Sequence, residues 1–231
     1  MKSSKWKEYA FIFVIIGSIQ YIILTALAMY FYTGGTISNP DSPGYNFWAN
    51  LFSDLSRTKA LSGKSNLISY VITTISGCIL ACSLLAFVIN FPSFFKDKNR
   101  EKQLSDAVFM LGIITVVLMF ITFLTPWDIY KSIHLTFAAA YSVCGIIVLI
   151  LCSAIIYLNE NYPNRYAHIL VIYSIFAIVY TLLLIISPNL NTTEGIVFHA
   201  TMQKISMYMF LTCFIVQGYG AWSMERTRIQ Y

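Results

Sequence analysis

The chain has 231 residues, 58% of them hydrophobic and 11% charged, with a mean hydropathy of +0.68 and a formal net charge of +5. Charged side chains make up about a quarter of an ordinary soluble domain, so this composition excludes a water-soluble globule and indicates an integral membrane protein. No P-loop, dinucleotide fingerprint or nucleic-acid module breaks the apolar runs, and no nucleic-acid partner is expected.

A bilayer core of about 30 Å takes roughly 20 apolar residues per helix. Six stretches qualify, near residues 10–32, 67–91, 106–125, 129–158, 166–187 and 196–222. The expectation is an all-α polytopic fold, one transmembrane domain over residues 1–231. The first stretch follows Lys2, Lys5 and Lys7 like a signal peptide, but its apolar run is too long and lacks a small-residue cleavage site. It is expected to remain as a span.

Residues 33–66 form the longest connection, punctuated by Gly34-Gly35, Asn39-Pro40 and Ser42-Pro43-Gly44, which marks an irregular loop. Within it, residues 45–57 have helical periodicity, with Phe47, Trp48, Leu51, Phe52 and Leu55 on one arc and Ala49, Ser53 and Ser56 opposite. This predicts a short helix lying in the membrane interface. Asp54 projects about 20° from Phe47 on that wheel, which turns it toward the bundle.

The second connection holds Lys96, Lys98, Arg100, Glu101 and Lys102 and reads as a solvated charge run. The third is a short turn in which Pro126, Trp127 and Asp128 lead to Lys131 and His134. Arg165 and His168 follow the fourth. The fifth contains Asn191-Thr192-Thr193, a glycosylation pattern. Cys78, Cys82, Cys144, Cys152 and Cys213 all fall inside predicted helices, which argues against a disulfide framework.

Ten basic residues fall on one side of the predicted bundle: Lys2, Lys5, Lys7, Lys96, Lys98, Arg100, Lys102, Arg165, Arg226 and Arg228. Arg57, Lys59, Lys64, Lys131 and Lys204 fall toward the other. The positive-inside rule then puts both termini in the cytoplasm, and the expected location is the plasma membrane.

That topology assigns Asp54, Asp128, His134 and His199 to the outer side, with Gln203 one turn beyond His199 and Lys204 about 13 Å along its helix from Gly195. Polar groups at membrane depth face a bundle interior or a wet cavity. Two readings stay open: a pocket for a lipid headgroup or similar polar ligand, or a buried Lys–Asp–His network that fixes helix positions. A third is a lipid hydrolase or transferase with zinc on His134, His199, Asp54 and Asp128, although no HxxxH or HExxH places two ligands on one helix face. No cofactor is otherwise expected, and membrane lipid is the expected partner.

Phe52-Ser53-Asp54-Leu55, Asn66, Ser76-Gly77, Thr125-Pro126-Trp127-Asp128, His134 and Gln203-Lys204 resemble the motifs of a domain-of-unknown-function family of bacterial and archaeal six-helix membrane proteins. That family is similar in layout to the FRAG/DRAM/Sfk group, linked to lipid remodelling, lipid asymmetry and autophagy. The resemblance implies a prokaryotic source, six helices and lipid-related work. It carries the family's Ser-Asp-Leu pattern onto Ser53, Asp54 and Leu55, with Ser56 where a glycine is usual, and its Pro-x-Asp pattern onto Pro126 and Asp128. The family's helix-four histidine falls on His134. Its Gln-Arg pair becomes Gln203-Lys204, which keeps the charge and loses the bidentate fork.

Overall fold

The computed structural model describes residues 5–96, 98–186 and 192–229. They form six α-helices: α1 (Lys5–Phe31), α2 (Leu67–Asn90), α3 (Asn99–Leu124), α4 (Lys131–Leu158), α5 (Arg165–Ile186) and α6 (Thr193–Ile229). Among the described residues there is no strand, only an isolated bridge between Lys59 and Ser65. The first five helices are long and apolar enough to cross a membrane. The sixth has 37 residues, and His199, Gln203, Lys204, Ser206 and Gln217 dilute its apolar character.

Each helix packs against the next in sequence and α6 returns to α1, so the bundle is a closed ring. The pattern on α1 shows why. Phe11, Val14, Ser18, Tyr21, Thr25 and Ala28 recur at three- and four-residue spacing and are buried, while Ile16, Ile19, Ile23 and Leu27 face outward. The buried hydroxyls of Ser18 and Thr25 donate to the carbonyls of Val14 and Tyr21 one turn back, at 2.9 and 2.6 Å, which satisfies them without a partner helix. Gly17 lets α1 meet α2 closely, because a Cβ there would overlap the Ser83 side chain.

At one end of the ring, Phe11, Phe87, Phe91, Phe94 and Tyr162 form an aromatic cluster, with Phe11–Phe94 centroids 5.5 Å apart and Phe94–Tyr162 also 5.5 Å. Arg228 lies 4.7 Å over the Phe94 ring. The start of α1, the α2–α3 and α4–α5 turns and the end of α6 therefore share this basic end. Residues 33–66 and the α3–α4 turn lie at the other, the loop end.

Two expectations change. Residues 99–102 are not wholly a solvated run but the first turn of α3, and Glu101 is buried, its carboxylate accepting from Asn159 Nδ2 at 2.7 Å. Residues 45–57 are not one helix; only Phe52–Ser56 is helical, as a 3-10 turn. Asn46 Oδ1 accepts the amides of Trp48 and Ala49, Asn50 Oδ1 accepts that of Asn46, and Leu51 is extended at φ −74°, ψ 158°. Asn46 thereby caps a single turn, closed by the Asn50 amide donating to Asn46 O at 2.8 Å, and the extended Leu51 ends it. The Asn191 glycosylation pattern lies outside the described residues.

Gly17→Ala should lower stability in detergent by about 1–3 kcal/mol through overpacking, read as a lower thermal midpoint. Gly145→Ala should be tolerated, because its Cβ would meet Thr115 at an ordinary 3.6 Å.

Candidate functional site

The long loop folds back over the loop end of the bundle. Gly35 has φ +87°, and a Cβ there would overlap the Ser62 amide, so the two strands of the loop pass as closely as only glycine permits. Ser62 N–H donates to Gly34 O at 3.1 Å, and the Leu61 amide donates to the Tyr32 hydroxyl at 3.1 Å. Burial pushes the Tyr32 phenol up to about 12.

Asn50 is the centre of this arrangement and is fully buried. Its Nδ2 donates to Gly35 O at 2.9 Å and to Asp54 Oδ2 at 3.2 Å. Its carbonyl accepts from the Tyr45 hydroxyl at 3.1 Å and from Lys204 Nζ at 2.5 Å. Burial holds the Tyr45 phenol well above its ordinary range, so it stays a donor.

Lys204 reaches this carbonyl from the first third of α6 and is 2% exposed. Its ammonium also donates to Ala200 O at 3.3 Å and lies 5.4, 5.0 and 6.0 Å from the rings of Tyr45, Phe47 and Phe52. No carboxylate comes within ion-pair distance of it among the described residues. Next to it, Gln203 Oε1 accepts the Phe52 amide at 2.7 Å. Asp54 is 1% exposed and accepts from the Leu51 amide at 2.9 Å as well as from Asn50. That bond is half of a capping box on the 3-10 turn. Burial pushes the Asp54 carboxyl up, against those two hydrogen bonds and the charges of Arg57 and Lys204.

Asp128 takes a different part of the loop. Its carboxylate accepts from the Thr58 amide at 2.9 Å, the Thr58 hydroxyl at 2.7 Å and the Lys59 amide at 3.0 Å. Partial burial opposes its charge, but these donors outweigh it and hold the carboxyl below the usual range. His134, in the first turn of α4, puts Nδ1 at 2.9 Å from Thr125 O and its ring edge-on to Trp127 at 5.3 Å. A carbonyl only accepts, so Nδ1 carries the proton. His199 is half-buried, with the Phe198 ring 5.9 Å away.

The sequence model of the Frag1/DRAM/Sfk1/Cwh43P N-terminal domain matches residues 8–216. The chain belongs to this family. No curated protein and no solved structure is significantly similar to it.

In this member of the Frag1/DRAM/Sfk1/Cwh43P family, the six residues singled out by sequence do not converge on one point. Asp54, Gln203 and Lys204 gather around residues 50–52, Asp128 holds residues 58–59, and His134 holds the end of α3. The described residues contain no group of three His, Cys, Asp or Glu side chains placed to hold a metal. The residues that sequence reasoning missed are Asn50, Tyr45 and Thr58. Asn46 and Asn50 were the available signal, since asparagine side chains readily bond the backbone a few residues away in caps and turns.

Asp128 contributes to stability fully above the ordinary carboxylate range, near pH 4, and loses that contribution as pH falls through its depressed value. Asp54 has the opposite sign, favoured when protonated and opposed as pH rises through its raised value. Asp128→Asn should speed hydrogen exchange of the Thr58 and Lys59 amides about fivefold at neutral pH, a modest figure for bonds to a half-exposed carboxylate. The acid dependence of that exchange should flatten in the variant, as read by exchange mass spectrometry.

Proposed function

We propose that this protein is a non-enzymatic, six-span lipid-binding protein of the plasma membrane. Its ligand is a lipid headgroup, or a polar group of the same chemistry, taken up at Gln203 and Lys204 when the 45–57 segment lifts. Asp54 shapes that segment, Asp128 and His134 hold the neighbouring turn, and His199 lies one helical turn before Gln203. The observation that carries the reading is the Lys204 ammonium, buried among three aromatic rings with only backbone carbonyls as hydrogen-bond partners. A cation so placed gains from an anionic oxygen more than from a carbonyl. Phosphate oxygens of a lipid are the anions a membrane supplies at that depth.

The sixth span in this reading is α6, whose Gln203 and Lys204 reach the loop. Trp48, 59% exposed, and Phe47 beside it are the aromatic anchors of the loop at headgroup level. Both termini are cytoplasmic, and the loop is outside.

Native mass spectrometry of gently purified protein should show a retained lipid. Lys204→Ala should lose it, and Lys204→Arg, which keeps the charge, should keep it. Equal retention in all three proteins would defeat the proposal. For the orientation, Lys64→Cys, exposed in the loop, should react with a membrane-impermeant maleimide on intact cells. Reaction only after permeabilisation would reverse the topology.

A further inference from the structure

At the basic end, a groove of about 550 Å³ opens between the first turns of α3 and the last turns of α4, lined by Arg100, Gln103, Leu104, Ala154, Tyr157 and Leu158. Its floor is apolar, from Leu104, Ala154 and Leu158, and its rim carries a guanidinium, a carboxamide and a phenol. Both helices are long and apolar enough to span a membrane, so the floor continues into the acyl region while the rim stands at the charged end. A pocket of this size is in the range that takes a small ligand.

The charges around the groove are not equivalent. Lys98 is matched by Glu160 at 2.8 Å and lies 3.9 Å from Glu101. Glu101 in turn accepts from Asn159 at 2.7 Å. Arg165, Arg226 and Arg228 each lie over an aromatic ring, those of Tyr166, Trp222 and Phe94. Arg100 is exposed and has neither an acidic nor an aromatic partner among the described residues. Lys96 and Lys102 are likewise exposed without an ion pair or ring contact among the described residues, but of these three cations it is Arg100 that lines the groove.

We infer that this groove is a binding site for an anionic phospholipid, with the phosphate on Arg100, flanked by Gln103 and Tyr157, and an acyl chain along Leu104, Ala154 and Leu158. A guanidinium fork matches phosphate oxygens bidentately, and basic pockets between spans suit such headgroups. An apolar floor adjoining the rim selects a lipid over a soluble phosphate. The site is at the opposite end of the bundle from Lys204 and stands independently of the function proposed there.

The test is native mass spectrometry of the full chain titrated with phosphatidylglycerol or phosphatidylcholine. Phosphatidylglycerol should bind preferentially. Arg100→Gln should weaken its binding about tenfold, the ratio set by one charge-assisted pair, and Arg100→Lys should weaken it less. Ala154→Trp, which fills the floor and leaves the charge, should also weaken it, whereas Lys102→Gln, an equal charge change away from the groove, should alter it less than about twofold. The inference is overturned by an equal loss in Lys102→Gln, which would mean diffuse attraction. Equal binding of phosphatidylcholine overturns it too, as does full competition by glycerophosphoglycerol, the headgroup without chains. In a Lys204→Ala background, which lacks the site proposed at the loop end, the loss caused by Arg100→Gln should persist, and its disappearance there would overturn the inference.

Discussion

A lysine ammonium buried inside a helical bundle has to be solvated by something, and in this protein the solvent is chiefly the backbone of another segment. The carbonyl of Asn50, held in place by the side-chain bonds of the same residue to Gly35 and Asp54, supplies the shortest contact to Lys204. That contact dictates the loop. The chain leaves helical geometry at Leu51, which keeps the Asn50 carbonyl free for α6, because within a continuing helix that carbonyl would be engaged. The Asn46 cap, the Gly35 carbonyl that takes the Asn50 side chain and the 3-10 turn after Leu51 hold that carbonyl in place.

The two ends of the bundle solve different problems. At the loop end, polar side chains from α6 and from the α3–α4 turn bind backbone groups, so what they stabilise is the path of the chain. At the basic end, rings stack on rings and three guanidinium groups cover them, so what is stabilised is a junction of several helix termini. Glu101 and Asn159 tie α3 to the cap of α4 in the same place. Buried polar groups are thus satisfied by different means at the two faces of one ring.

The helical architecture is legible in the sequence because apolar length and three-to-four-residue spacing are local properties, as the inward and outward faces of α1 illustrate. The depth of Lys204 is legible for the same reason. Its partner is not, since an expected carboxylate is replaced by a carbonyl, and a backbone group belongs to every residue and leaves no compositional mark. Asp128 and His134 look paired when read six residues apart. The chain turns between them, so Asp128 is directed to the loop and His134 back to Thr125. Their separation follows from the start of α4, a tertiary fact that spacing does not encode.

The closure of the ring by α6 against α1 has a further consequence for the order of assembly. Helices that pack on their sequence neighbours can form as they emerge. The loop between α1 and α2 is synthesised early, but Gln203 and Lys204 arrive only with the sixth helix. Until then Asn50 has no cation and the Phe52 amide no acceptor from α6. The latched loop is therefore a record that the seam between α6 and α1 has closed, and a loop still loose marks a bundle in which that seam remains open.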